Sequence, residues 1–172
     1  MKKTILTILI IGMFVPIFGS NQERDLQAAF LGKFAKFIKW PDESKEKFII
    51  TLIDENPFEN LLDDLYKDKM IHGKPIELRY VTKIEDIKNT DILFITIDNQ
   101  AEVQKIIEYA QKNSILTISE KRGFAQRGGI IQLNFVMQKT HLVINYKSSI
   151  ESQIKISSPL LAIAQDVIKE DK

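Results

Sequence analysis

The residues most able to do chemistry lie in a loop that contains three glycines, residues 121–129. This loop carries Arg122 and Arg127 and ends in Gly128 and Gly129. Basic side chains beside exposed backbone N–H groups could hold an anion, because glycine lets the backbone bend around one. A glycine pair just before a strand is also what a tight entry turn needs, and the turn is the favoured interpretation.

A second group of polar side chains follows two predicted strands. Asp54 and Glu55 come after the first of them, and Asp98 and Asn99 come after the third. Open α/β sheets bind ligands at the carboxyl ends of their strands, so these four side chains could line a small polar cleft. Asp and Asn are also preferred helix caps, and capping of the following helices is the favoured interpretation.

Signatures of enzymes are missing from the sequence. It contains no G-x-S-x-G, Walker A or H-E-x-x-H motif, no cysteine, and only His72 and His141 as histidines. Thiol catalysis, disulfides and cysteine-based zinc sites are therefore excluded, and neither histidine belongs to a recognisable nucleophile arrangement. We predict no catalytic residue, no metal site and no cofactor.

Composition limits the class of protein further. The 172 residues include 24 basic and 23 acidic side chains, with 44% hydrophobic and 27% charged residues. This length and composition are typical of one globular domain. The nearly neutral charge provides no basic field, which argues against nucleic acid as a partner.

The first twenty residues have the layout of a secretory signal peptide. Lys2 and Lys3 form a positive start, residues 4–18 are uncharged and mostly apolar, and Gly19 and Ser20 are small. The apolar run is shorter than the roughly 20 residues that span a bilayer, although an uncleaved anchor is the alternative. We predict cleavage near residues 19–20, which leaves residues 21–172 as one exported domain in the periplasm.

The rest of the chain alternates between strand and helix patterns. Predicted helices cover residues 23–39, 56–69 and 101–112, with a short helical piece at 84–88. Predicted strands cover residues 48–53, 76–81, 91–97 and 115–118. Such an order predicts parallel strands with helices packed on the faces of the sheet.

The end of the chain departs from this alternation. Residues 130–137 and 141–146 read as an antiparallel hairpin, and residues 160–168 as a closing helix that Ser157 caps and Pro159 begins. The predicted fold is therefore a single three-layer α/β domain. Its sheet is mostly parallel, with a C-terminal antiparallel hairpin and flanking helices.

Seven short stretches together carry a resemblance to a known family. They are residues 31–41 (LGKFAKFIKWP), 56–58 (NPF), 91–95 (DILFI), 116–119 (LTIS), 123–131 (GFAQRGGII), 143–146 (VINY) and 154–161 (IKISSPLL). In this order they resemble the YfiR family of small periplasmic proteins, over residues 30–167. Pro159 stands where a basic residue is expected. The cysteines of some members are absent, which excludes thiol-based redox control here.

The resemblance implies a regulator rather than an enzyme. YfiR-like proteins are periplasmic repressors, and the best-understood kind binds and inhibits the extracytoplasmic sensor domain of an inner-membrane diguanylate cyclase. Release of that sensor raises cyclic-di-GMP and promotes biofilm. The alternatives are an accessory protein to a membrane histidine kinase and a periplasmic sensor module that binds a small ligand. Membrane contact would come only through the partner, and a homodimer is the default for a small soluble protein.

The candidate partner-binding residues lie in the first predicted helix and at its exit. They are Lys33, Phe34, Lys36, Phe37, Lys39 and Trp40. Tryptophan is enriched among the residues that dominate binding energy, and Trp40 is the only one in the chain. Core packing is the alternative for Phe34 and Phe37. The three lysines are either a solvated face or a contact to anionic lipid headgroups.

Overall fold

The structure, a computed structural model, describes residues 19–42, 44–137 and 139–169. The predicted signal peptide lies outside this range except for Gly19 and Ser20, which begin the first helix. The strands are β1 (Ile38–Lys39), β2 (Phe48–Ile53), β3 (Met70–Ile71), β4 (Lys74–Val81), β5 (Ile92–Ile95), β6 (Leu116–Ser119), β7 (Ile131–Val136), β8 (Lys139–Asn145), β9 (Lys155–Ile156) and β10 (Asp166–Ile168). The helices are α1 (Gly19–Ala35), α2 (Leu61–Tyr66), α3 (Gln100–Lys112), α4 (Tyr146–Glu151) and α5 (Ser158–Ala162), with 3₁₀ turns at Ile84–Asp86 and Ala125–Arg127.

Eight of these strands form one sheet, in the order β10-β8-β7-β6-β5-β2-β4-β3. The five strands β4, β2, β5, β6 and β7 run parallel, and β7 turns back into β8 as an antiparallel hairpin. The predicted α/β fold with a mostly parallel sheet and a C-terminal hairpin is therefore confirmed. Because β4 lies on one side of β2 and β5 on the other, the strand order reverses between β2 and β5, which makes a topological switch point there.

Helices cover both faces of the sheet. On one face, α1 and α2 pack over strand residues such as Ile50 and Phe94, while Leu93 and Ile95 pack with α3 on the other face. Successive residues of a strand point to opposite faces, so a strand buried on both sides is mostly apolar. All six residues of β2 are buried, and its one polar side chain, Thr51, forms a 2.6 Å hydrogen bond with the Thr90 hydroxyl.

The first helix is shorter at its C-terminal end than the apolar stripe predicts. It ends at Ala35 instead of Lys39, and a turn at Lys36 and Phe37 leads into β1. Strand β1 pairs antiparallel with β9, placing Ile38 opposite Ile156 in a separate two-stranded sheet. The predicted end of the helix at residue 39 is therefore wrong, because residues 38–39 pair with a strand distant in the sequence instead of continuing the helix.

The second helix begins later than its capping signals predict. The Asn56 side chain accepts a hydrogen bond from the Phe58 N–H at 3.0 Å, which closes a turn instead of starting a helix. Glu59 has a positive φ of 52°, which interrupts right-handed helical geometry. Helix α2 consequently covers only Leu61–Tyr66.

The prediction of a closing helix over residues 160–168 is also wrong beyond Ala162, where α5 ends. Residues Asp166–Ile168 instead form β10, which adds to the sheet parallel to β8. Gln165 guides this addition, because its N–H donates to the Leu142 carbonyl and its side-chain oxygen accepts from the Leu142 N–H.

Helix α4 was not predicted, since its residues have no clear apolar periodicity. Over the described residues, no helix combines the length and apolarity needed to cross a bilayer.

Candidate functional site

Trp40 lies where the parallel strands of the sheet begin. Its ring packs edge-on against Phe48, the first residue of β2, with 5.3 Å between ring centroids, and against His72 at 6.1 Å. Only 7% of the residue is exposed, although it borders a cleft. Its buried indole N–H has no acceptor among the described residues. An unsatisfied buried donor is costly and calls for an explanation.

The two phenylalanines of this segment have different environments. Phe34 is 1% exposed and stacks on Phe30 at 5.4 Å, so the core interpretation applies and the prediction that it contacts a partner is wrong. Phe37 is 37% exposed, because the turn after α1 directs it away from the core. A partner can therefore reach Phe37 and cannot reach Phe34.

The three lysines are exposed but do not form one group. Lys33 belongs to α1, and its ammonium lies 5.6 Å from the centroid of the Phe30 ring. Lys36 and Lys39 border a shallow cleft together with Phe37. The structure thus brings Lys36 and Lys39 together and leaves Lys33 on the helix.

Residues that sequence reasoning missed complete this surface. Lys155 of β9 lines the same shallow cleft, and both Lys155 and Ile150 line an adjacent cleft of about 690 Å³ beside Trp40. Ile150 is 58% exposed on α4 and, like Phe37, adds apolar area to this surface. We call this surface the β1–β9 face, and it comprises Lys36, Phe37, Lys39, Trp40, Ile150 and Lys155.

A second cleft of about 230 Å³ lies at the opposite, carboxyl end of the parallel strands. Ile97 and Ser119 border it at the ends of β5 and β6, and Arg122 and Arg127 line it from the predicted anion loop. The loop therefore contributes side chains to a concave site, in keeping with the strand-end position that α/β proteins use for ligands.

The two glycines of this loop make a turn and do not take part in the cleft. The N–H of Gly128 donates to the Ala125 carbonyl, and that of Gly129 donates to the Phe124 carbonyl. A β-carbon on Gly129 would lie 2.1 Å from the Phe124 ring, so only glycine fits there. The turn interpretation is confirmed for Gly128 and Gly129, and their backbone N–H groups are not available to an anion.

The polar residues at the strand ends have separate roles. Asn99 caps α3, because its side chain accepts hydrogen bonds from the N–H groups of Ala101 and Glu102. Asp98 instead forms a 2.6 Å ion pair with Lys121 across the cleft. The pKa of Lys121 is raised, and its hydrogen bond to Asp98 is the largest cause. The negative charges of Glu120 and Glu55 raise this pKa further, whereas desolvation lowers it.

The two histidines lie in different environments. A ring nitrogen of His72 lies 2.9 Å from the Ala35 carbonyl, and the ring packs against Trp40 and Phe48. His141 lies in β8, with its Nδ1 buried and without a hydrogen-bond partner in the described chain. No cluster of three or more metal-ligating side chains occurs within residues 19–42, 44–137 and 139–169.

The sequence of the chain matches the model of a known protein family. The profile of the YfiR/HmsC-like family matches residues 24–165, which is most of the described chain. The chain belongs to this family. The sequence resemblance to YfiR proteins is therefore confirmed, and the family relationship points to a regulatory role. No curated protein matches the chain significantly.

Two solved structures have a similar fold. A conserved domain protein from Vibrio cholerae O1 biovar El Tor has a TM-score of 0.58 and 16% identity, over 84% of this chain and 60% of that one. An ABC domain from Streptococcus pneumoniae, in complex with L-Trp, has a TM-score of 0.55 and 14% identity, over 82% of this chain and 60% of that one. The chain spans about 60% of the length of each structure, and at these identities the likeness concerns the fold alone.

Proposed function

We propose that this protein is a periplasmic regulator that binds the extracytoplasmic sensor domain of an inner-membrane diguanylate cyclase and holds the enzyme inactive. Membership of the YfiR/HmsC-like family over residues 24–165 is the observation that carries this proposal. Export through a signal peptide at residues 1–20 is part of it. The protein performs no chemistry of its own in this role, and it lowers cyclic-di-GMP and biofilm formation by occupying the sensor.

The β1–β9 face is our proposed contact surface. It combines exposed apolar side chains, Phe37 and Ile150, with the exposed ammonium groups of Lys36, Lys39 and Lys155. None of these three lysines forms an ion pair with a carboxylate in the part of the chain that the structure describes. An apolar centre with a charged rim is the usual composition of a protein interface, so the partner should present acidic side chains around an apolar patch.

Trp40 gives this surface a buried anchor. Its indole borders the cleft between Lys39 and Ile150, and its N–H lacks an acceptor among the described residues. An acceptor on the partner that reached this N–H would remove the cost of leaving it unsatisfied. Because Trp40 is also part of the core, its replacement would change both folding and binding, and the exposed residues of the face provide a cleaner test.

Inhibition requires only that the regulator binds one state of the sensor more tightly than the other. Shifting a two-state equilibrium from 1:99 to 99:1 needs a preference of about 10⁴-fold, or about 5.5 kcal/mol. An interface of standard size, near 1,600 Å² in total, can provide a difference of this order when it fits one state alone.

The test is reversal of charge on the face. The variant Lys39→Glu/Lys155→Glu should reduce capture of the purified sensor domain at least about tenfold, because each lysine loses an attraction and gains a repulsion. The sensor domain should come from a membrane diguanylate cyclase of the same organism, and the same variant should raise cellular cyclic-di-GMP. Binding is measured by surface plasmon resonance.

Lys105→Glu is the matched control, because Lys105 is exposed on α3, outside the β1–β9 face. It should leave capture unchanged, and circular dichroism should show that all variants are folded. Capture by the double variant equal to that of the original protein would exclude the β1–β9 face. Capture of a histidine kinase sensor domain in place of the cyclase domain would support the β1–β9 face as the contact surface and would contradict the cyclase as the partner.

A further inference from the structure

The cleft at the carboxyl ends of β5 and β6 has the position of a ligand site. Ile97 and Asp98 after β5, and Ser119 at the end of β6, border the cleft, which lies one strand away from the reversal of strand order between β2 and β5. Open α/β sheets bind ligands outside the carboxyl ends of their strands, where the connecting loops leave a crevice.

The charges of this cleft leave two guanidinium groups available. Lys121 and Asp98 largely neutralise each other across a distance of 2.6 Å. Arg122 and Arg127 are both exposed, and neither forms an ion pair with a carboxylate among the described residues. Among the residues that line the cleft, the unbalanced charge is therefore positive and comes from side chains whose planar forks suit oxyanions. The carboxylates of Glu55 and Glu120, which also act on Lys121, are outside this lining.

Arg127 is held in position by the loop itself. One of its terminal nitrogens, Nη2, donates to the Arg122 carbonyl at 3.1 Å, which fixes the guanidinium against the loop. A β-carbon on Gly123 would lie 2.6 Å from the other terminal nitrogen, Nη1, and Gly123 has a positive φ of 75°. Glycine at this position therefore makes room for the guanidinium, so that less side-chain freedom is lost when an anion binds.

The wall opposite the arginines adds a favourable field. Gln100, the first residue of α3, lines the cleft, and this 13-residue helix directs its positive end toward it. The side chain of Asn99 already accepts the N–H groups of Ala101 and Glu102. An anion would consequently gain the field of the helix and would form its hydrogen bonds with the arginines.

We propose that this cleft binds the oxyanion group, carboxylate or phosphate, of a small molecule, and that Arg122 and Arg127 are its binding residues. The volume of about 230 Å³ admits such a group with a short apolar extension against Ile97, Val103 and Phe124. The cleft lies at the end of the sheet opposite Trp40, which packs on the first residue of β2. The inference is therefore independent of the proposed partner surface.

Isothermal titration calorimetry of the purified full-length protein tests this proposal. Sodium phosphate and sodium succinate are titrated separately, in a chloride buffer of matched ionic strength, which distinguishes phosphate from carboxylate as the preferred group. We expect one or both to bind. The variant Arg122→Gln/Arg127→Gln should weaken binding about a hundredfold, at about tenfold for each charged hydrogen-bonding partner lost.

The variant Lys105→Gln is the control, since it removes one exposed positive charge of α3 and should leave the affinity unchanged. Arg122→Gln alone should weaken binding about tenfold. This single variant keeps the backbone carbonyl that accepts from Arg127, so the loop retains that hydrogen bond. It therefore tests the proposal even if the double variant fails to fold. Absence of binding by both anions up to on the order of 10 mM would overturn the proposal. Equal binding by the arginine variants and the original protein would overturn it as well.

Discussion

The hydroxyl of Tyr66 lies between two backbone groups of α1 that would bond directly in a regular helix. It donates to the Ala28 carbonyl at 2.6 Å and accepts from the Gly32 N–H at 2.6 Å. A β-carbon on Gly32 would lie 2.6 Å from the Tyr66 ring, so glycine permits this close approach of α2 to α1. The Tyr66 side chain thus links α2 to the backbone of α1, the helix that precedes the β1–β9 face.

Tyr66→Phe should lower the free energy of unfolding by about 1–2 kcal/mol, because both hydrogen bonds of the buried hydroxyl are lost. Tyr80→Phe is the matched control. The Tyr80 hydroxyl bonds to Asp63 at an exposed site, and its loss should cost at most about 0.5 kcal/mol. Urea unfolding measures both variants, and equal costs would contradict the structural role of Tyr66.

The stability that Tyr66 contributes to the folded protein should depend on pH. Burial raises the pKa of Tyr66 from 10.0 to about 12, although the hydrogen bond from Gly32 opposes the shift. Since the folded pKa lies above the unfolded one, the stabilisation is complete below about pH 10 and is lost as pH rises through about 12. Between about pH 9 and about pH 11, the urea midpoint should therefore fall less for Tyr66→Phe than for the original protein. Tyr80, whose pKa is also raised, remains in both proteins and cancels in this comparison.

At the scale of elements, two asparagines begin helices with different consequences for the domain. Asn99 caps α3 through its oxygen alone, at an exposed position. Asn145 caps α4 through its oxygen and also donates from its amide nitrogen to the Ala125 carbonyl at 2.8 Å, while buried. It therefore connects the end of β8, the start of α4 and the loop that carries Arg122 and Arg127.

Asn99→Ala should cost about 1 kcal/mol of stability, the usual value for an exposed cap. Asn145→Ala should cost about 2–3 kcal/mol, because it also leaves a buried carbonyl without its donor. Chemical denaturation followed by circular dichroism compares the two variants. If Asn145→Ala cost no more than Asn99→Ala, the loop would not depend on this connection.

At the scale of the whole molecule, the two candidate sites occupy opposite ends of one sheet. The β1–β9 face adjoins the start of β2, and the arginine cleft adjoins the ends of β5 and β6. Neither end carries thiol chemistry, because the chain has no cysteine. A protein of this design has room for a partner at one end and a small ligand at the other without steric competition between them.

Local pattern was sufficient for the central elements of this fold. Strand β2 has the predicted bounds, because burial on both faces favours a mostly apolar run of residues. Helix α3 follows its predicted stripe to within one residue. The hairpin of β7 and β8 was also predicted, since its two strands are adjacent in the chain. These elements either bury a face that gives their own residues an apolar pattern or pair with a strand that is adjacent in the sequence.

Tertiary structure alone decided the periphery and both candidate sites. Strand β1 forms because it pairs with β9, and β10 forms because it pairs with β8. Neither strand shows a pattern in the sequence, because two or three residues are too few to reveal a period. Sequence reasoning named Lys36 and Lys39 and the arginines of the cleft, which are exposed, but it left Phe37 between the core and the surface. It could not place Lys155 and Ile150 beside Trp40. The sequence determines what each segment can bury, whereas the positions of exposed side chains relative to one another depend on contacts between segments far apart in the chain.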